Sequence, residues 1–130
     1  MTGSHLTKEY TVAEENLACA MHSGSLPVLA TPWVINLFES TAADLAQTCL
    51  PEGETTVGYK IAAEHLAPSL TGAKVKIDAE MTGHEGRSFR FTLEAHDESG
   101  LIATATHERV TVQAERFMQK ARERKDAANA

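Results

Sequence analysis

The chain has 130 residues, of which 42% are hydrophobic and 23% charged, and its formal net charge is −6. This length fits one domain over residues 1–130 with a single hydrophobic core. No apolar run approaches the roughly 20 residues that span a membrane, and the acidic balance argues against a nucleic-acid binder. The first residues lack a secretory pattern and the two cysteines lack metal-ligand spacing. We therefore expect free thiols and a cytoplasmic location.

The first predicted elements are a short strand and a long loop. Residues 6–12 alternate loosely, as a strand does. Residues 13–30 show no sustained period and contain Gly24 and Pro27. A loop this long in a compact domain is typically functional, so we expect a lid over 13–30.

A central helix is predicted over residues 32–49. Thr31 followed by Pro32 indicates the helix start, with the threonine as N-cap. Apolar residues at helical spacing define a core face that ends at Cys49. Glu39 lies on a flank of mostly small residues between the core face and the polar face. Small side chains there allow another backbone to approach closely.

From residue 54 to 113 the pattern has a period of two, which predicts four strands joined by tight turns. Such strands pair antiparallel. Residues 114–126 follow as a polar C-terminal helix. The order predicts an α+β hotdog fold, a curled antiparallel sheet wrapped around one long helix. One sheet face stays only partly covered, which favours a homodimer.

The C-terminal helix is unusually basic. Two interpretations stay open, because a solvated terminal helix and a contact for the phosphates of a nucleotide-like ligand predict the same composition. Five of the twelve basic residues lie in the last fifteen positions, namely Arg116, Lys120, Arg122, Arg124 and Lys125.

Three polar residues stand where packing alone would not place them: Thr31, Glu39 and His65. Each has a simple structural explanation, as helix cap, boundary carboxylate and hydrogen-bonded core histidine. Together they offer a different chemistry. A carboxylate can act as base or nucleophile, a histidine can protonate a leaving thiolate, and a threonine hydroxyl can hold a water. Their sequence spacing does not show that they meet.

No stronger motif competes with this set. The chain has no G-x-S-x-G elbow, P-loop or G-x-G-x-x-G sequence. The six histidines are scattered without metal-ligand spacing. Alternation on a strand sends His107 and Glu108 to opposite faces. We therefore expect neither a metal nor a cofactor.

Three segments carry a resemblance to a known family. They are LPVLATPWVINLFES at 26–40, TTVGYKIAAEHLAPSLTG at 55–72 and GLIATATHERVTV at 100–112. With their spacings, the chain resembles the fluoroacetyl-CoA thioesterase-like family of hotdog proteins over roughly residues 5–118. The resemblance implies hydrolysis of a short acyl-CoA to the free acid and coenzyme A.

The resemblance also implies site residues. Thr31, Glu39 and His65 would form a catalytic set completed across the dimer interface. Gly58 would shape the pocket beside the acyl group, and Arg109 would help to order the site. In similar enzymes the glutamate attacks the thioester carbonyl or activates water, and the histidine assists the leaving group.

One departure from the family concerns the loop before the threonine. The fluoroacetyl-specific enzyme has phenylalanines there, whereas residues 22–29 contain no aromatic residue. We therefore expect a different short acyl group. The main alternative function is a non-catalytic acyl-CoA binding or sensing module. Hydration of an enoyl-CoA ranks last, because the longer motif of hotdog hydratases is missing.

Overall fold

A computed structural model describes residues 4–129 of the chain. A short 3₁₀ turn at Glu14–Asn16 follows the first strand. The strands and helices, in chain order, are β1 (His5–Thr11), α1 (Ala18–Met21), α2 (Thr31–Gln47), β2 (Glu54–His65), β3 (Lys74–Glu85), β4 (Ser88–Asp97), β5 (Gly100–Gln113) and α3 (Ala114–Ala128).

The five strands form one antiparallel sheet in the order β1-β3-β4-β5-β2. Alternating apolar residues of β3 and β4 face α2, which packs mainly against β3 and β2. Phe38 of α2 is fully buried among them, with Phe89, Phe91 and Met81. One long helix against one antiparallel sheet is the α+β hotdog arrangement that the strand pattern predicts.

The start of α2 differs from the prediction. The N-cap is Ala30, and Thr31 is the first residue of the helix, so the threonine is no capping residue. Its hydroxyl is thereby left for another partner. The helix ends at Gln47 rather than at residue 49, and Cys49 is exposed, not part of the core face.

The flank of small residues on α2 is also more buried than expected. Ala42 and Ala46 have no exposed surface and belong to the core. The backbone of β2 in the same chain approaches this side of the helix. It does so beside Glu39, about one turn before Ala42. The small residues therefore serve packing within the chain.

The segment predicted as a long loop over 13–30 is more ordered than its sequence suggests. It contains the 3₁₀ turn and α1, and it folds back on itself through a bridge between Leu17 and Leu29. Both leucines are buried, whereas Leu26 at the tip is 64% exposed. A lid role for this segment stays a prediction.

Two elements remain largely open to solvent. The edge strand β2 exposes its middle, including Tyr59, which is 72% exposed. The helix α3 has no buried residue between Ala114 and Ala128. Across the described residues, the helices are too short or too polar to cross a membrane.

Candidate functional site

The hydroxyl of Thr31 meets the ring of His65. Thr31 Oγ1 lies 2.8 Å from His65 Nδ1. The two side chains come together because α2 begins where β2 ends, so the first helical residue faces the last strand residue. The other ring nitrogen, Nε2, is buried without a hydrogen-bond partner among residues 4–129. Burial lowers the pKa of His65 below 6.5, and a backbone contact with Ala67 opposes this only partly. The ring is therefore neutral at pH 7.

The carboxylate of Glu39 lies directly against the backbone of β2 at Gly58. A methyl group placed on Gly58 would come within 2.6 Å of Glu39 Oε2, closer than real contacts allow. The glycine is thus required by this approach rather than by its own backbone angles. The side chain of Glu39 keeps 43% of its surface exposed, so one side of the carboxylate is open to a ligand.

Arg109 lies next to the same carboxylate. It faces Gly58 in the register of β2 and β5, and its Nη1 is 3.6 Å from Glu39 Oε2. The guanidinium is nearly buried and anchored to Thr56, whose Oγ1 accepts from Nε at 2.7 Å and whose carbonyl accepts from Nη2 at 3.1 Å. These two bonds fix the positive charge beside Glu39.

His107 completes the support of Arg109. The carbonyl of Lys60 can only accept, so His107 Nδ1, at 2.8 Å, carries the proton. Nε2 is then free to accept from Arg109 Nη1 at 3.2 Å. Burial, assisted by the charge of Arg109, lowers the pKa of His107, which suits this neutral form. The hydrogen bond between His107 and the Lys60 carbonyl also holds β2 against β5 at the register shift between Gly58 and Lys60.

The five residues predicted from the sequence therefore form two groups. The hydroxyl–imidazole pair consists of Thr31 and His65, and the carboxylate cluster consists of Glu39, Gly58 and Arg109. Glu39 lies eight residues after Thr31 in the helix, which is about 12 Å along the helix axis. One chain brings each group together but does not bring Glu39 to the pair.

Thr56 and His107 were not predicted as site residues. A signal was present, because His107, Arg109 and Thr111 alternate on the side of β5 where an apolar side chain is expected. Three polar residues in a row on a core-facing side indicate a buried polar network. As for metals, residues 4–129 contain no group of three or more His, Cys, Asp or Glu side chains able to hold an ion.

The sequence profile described as fluoroacetyl-CoA-specific thioesterase, FlK, matches residues 12–115. The fluoroacetyl-CoA thioesterase of Streptantibioticus cattleyicolor is 32% identical over 100 residues, which cover 77% of this chain and 72% of that protein.

Solved structures agree with the profile. A structure of the fluoroacetyl-CoA thioesterase FlK has a TM-score of 0.89 and 27% identity, covering 95% of this chain and 96% of that one. A thioesterase superfamily member from Thermus thermophilus has a TM-score of 0.87 and 29% identity, with coverage of 98% and 96%. Both likenesses extend over nearly the whole fold.

Proposed function

Because the chain belongs to the fluoroacetyl-CoA-specific thioesterase family, we propose that it hydrolyses a short-chain acyl-CoA thioester to the free acid and coenzyme A. The observation that carries this proposal is the Glu39 carboxylate, open on one side, pressed against Gly58 and 3.6 Å from Arg109. A half-exposed carboxylate with fixed surroundings is a suitable base or nucleophile.

Two routes use the same residues. In one, Glu39 attacks the thioester carbonyl, the C–S bond breaks, and water hydrolyses the resulting anhydride. In the other, Glu39 removes a proton from a water that attacks the carbonyl directly. On either route His65 assists the departing thiolate, and Thr31 holds the water or polarises the carboxylate. The neutral His65 ring lies within hydrogen-bond distance of the Thr31 hydroxyl, so it can accept a proton there before it passes one to the thiolate.

The proposed catalytic set of Thr31, Glu39 and His65 requires a second chain, because Glu39 lies about 12 Å along α2 from Thr31. The edge strand β2 supplies a pairing surface, with an unpaired edge and exposed Tyr59. Antiparallel pairing of two β2 strands, centred midway between Gly58 and His65, sets the carboxylate cluster of one chain opposite the hydroxyl–imidazole pair of the other. The proposed homodimer therefore has two equivalent sites.

The acyl group is proposed to be short and different from fluoroacetyl. The segment before Thr31 packs Leu17 and Leu29 inside and presents Leu26 at its tip, but residues 22–29 offer no aromatic ring. Without such rings, the segment has no means of selecting a fluorinated group through an aromatic lid. Small unsubstituted acyl groups are the proposed substrates.

The first experiment is a substrate panel. Acetyl-, propionyl-, butyryl-, hexanoyl- and decanoyl-CoA are incubated with the protein, and released coenzyme A is titrated with a thiol reagent. We expect turnover to be greatest among the acyl groups of two to four carbons and to fall with chain length. Fluoroacetyl-CoA is included in the same panel, and its rate should exceed that of acetyl-CoA by no more than its greater rate of hydrolysis by hydroxide accounts for.

The panel also separates the alternative function. A non-catalytic acyl-CoA module would raise the melting temperature in the presence of these esters and release no thiol. That result would overturn the proposed hydrolysis and would support a protein that binds acyl-CoA without turning it over. Turnover of decanoyl-CoA alone would contradict the short-chain assignment.

A further inference from the structure

A groove of about 580 Å³ lies where β5 passes into α3, outside the residues proposed for hydrolysis. The turn between β3 and β4 closes one side through Arg87, whose carbonyl accepts a hydrogen bond from Thr111 N at 2.7 Å. The first turns of α3 close the other side with Arg116, Phe117 and Lys120. The groove therefore combines three cations with one aromatic ring.

These cations are concentrated in a chain whose net charge is −6. On α3, Arg116, Lys120 and Arg124 recur every four residues and so share one face of the helix. Within residues 4–129, none of the three groove cations forms an ion pair, although the carboxylate of Glu54 also lines the groove. Unpaired cations on an otherwise acidic protein attract an anion to this location.

A second feature of the groove is its aromatic ring. Phe117, 41% exposed, offers a ring face on which a purine base can stack.

The groove and the carboxylate cluster lie along the same two strands, β2 and β5. In the pairing of β2 with β5, Gly58 faces Arg109, the next pair on the same side is Thr56 with Thr111, and Glu54 faces Gln113 at the end. Thr111 lies two residues after Arg109 along β5, about 7 Å away, and Gln113 lies four residues after it, about 13 Å away. An extended pantetheine arm can bridge that distance.

We propose that this groove binds the phosphates of the nucleotide portion of coenzyme A, with the pantetheine arm following β2 and β5 towards Glu39. The inference rests on the proposed acyl-CoA hydrolysis, since it assigns the other end of the same substrate. Arg87, Arg116 and Lys120 hold the phosphates, and Phe117 stacks on the adenine. Ligand binding thereby accounts for two of the five basic residues of α3, Arg116 and Lys120.

The test compares two substrates that share the acyl end. An Arg116→Ala/Lys120→Ala variant is assayed with acetyl-CoA and with acetyl-pantetheine, which lacks the nucleotide. We expect kcat/KM for acetyl-CoA to fall about 10- to 100-fold, mostly through KM, as the loss of one or two charge-assisted hydrogen bonds implies. The value for acetyl-pantetheine should not change.

The matched control removes the same charge from the other side of the helix. Arg122 borders a different surface with Met118 and Gln119, and Lys125 follows on that side. An Arg122→Ala/Lys125→Ala variant should keep the wild-type kcat/KM for both substrates. An equal loss of kcat/KM in both double variants would overturn the groove assignment, because the loss would then reflect only the change in net charge.

Binding without turnover keeps this inference separate from the proposed hydrolysis. Calorimetry with coenzyme A and with adenosine 3′,5′-bisphosphate should show weaker binding to Arg116→Ala/Lys120→Ala than to the wild type. If the wild type releases no thiol but this difference persists, hydrolysis is wrong and the groove stands. If turnover is normal and neither ligand distinguishes the variant, the groove assignment is wrong. Bisphosphate binding without any effect on acetyl-CoA would also overturn it, since the groove would then serve a free nucleotide.

Discussion

Replacing Glu39 with glutamine is expected to lower kcat for thioester hydrolysis by about 10²–10⁴-fold, the usual contribution of a positioned base or nucleophile. The amide is nearly the same size, so packing against Gly58 is kept. Its oxygen can neither accept the proton of a water nor attack the carbonyl. The measurement is thiol release from acetyl-CoA at saturating substrate, with circular dichroism to verify the fold.

The control for Glu39→Gln is the same chemical change elsewhere on α2. Asp44 lies five residues later on the exposed side, where it pairs with Lys8. Asp44→Asn removes a carboxylate from the same helix without touching the proposed site, and should leave kcat unchanged. A Glu39→Gln variant that is folded and as active as Asp44→Asn would remove Glu39 from the mechanism.

The second large effect is expected from Gly58→Ala. The added methyl group would lie 2.6 Å from Glu39 Oε2 and 3.5 Å from Arg109 Nη1. The carboxylate is the end of a flexible side chain, so it can move aside and the protein should still fold. A displacement of about 1 Å at a reacting group costs on the order of 10²-fold in rate, and we expect that loss in kcat.

Gly83→Ala provides a matched comparison. Its methyl group would lie 2.8 Å from Arg90 Nη2, also the end of a flexible side chain, but on β3 and away from the proposed site. Thermal unfolding should show similar stability for the two variants, and only Gly58→Ala should lose turnover. Equal turnover in both would mean that Gly58 is a packing residue.

Much of the fold was predictable because its signals are local. The period-two pattern of Lys74–Glu85 and Ser88–Asp97 places each apolar residue on the buried face, as the structure does. The end of α2 and the burial of Cys49 were predicted wrongly. Helix ends depend on the last few hydrogen bonds, which a periodic pattern does not encode. The short helices within 13–30 were missed because a single turn is too short to show a period.

The site was less predictable, since its contacts join distant parts of the chain. Thr31 reads as a helix cap in the sequence, and only the position of His65, 34 residues later, gives its hydroxyl another partner. Likewise nothing near Gly58 in the sequence shows that Glu39 lies against it. His107 carried a detectable signal, because with Arg109 and Thr111 it interrupts a strand face that should be apolar. Thr56 carried none, since its neighbours on the same side of β2 are Glu54 and Gly58.

The most direct test of the account is complementation between two inactive variants, Glu39→Gln and His65→Ala. The two are unfolded together and refolded as a mixture, and acetyl-CoA hydrolysis is measured against each variant refolded alone. If each site takes Glu39 from one chain and His65 from the other, a mixed dimer has one intact site, and roughly a quarter of wild-type activity should return. A mixture in which mixed dimers are present, yet no more active than either variant alone, would contradict a site shared between two chains.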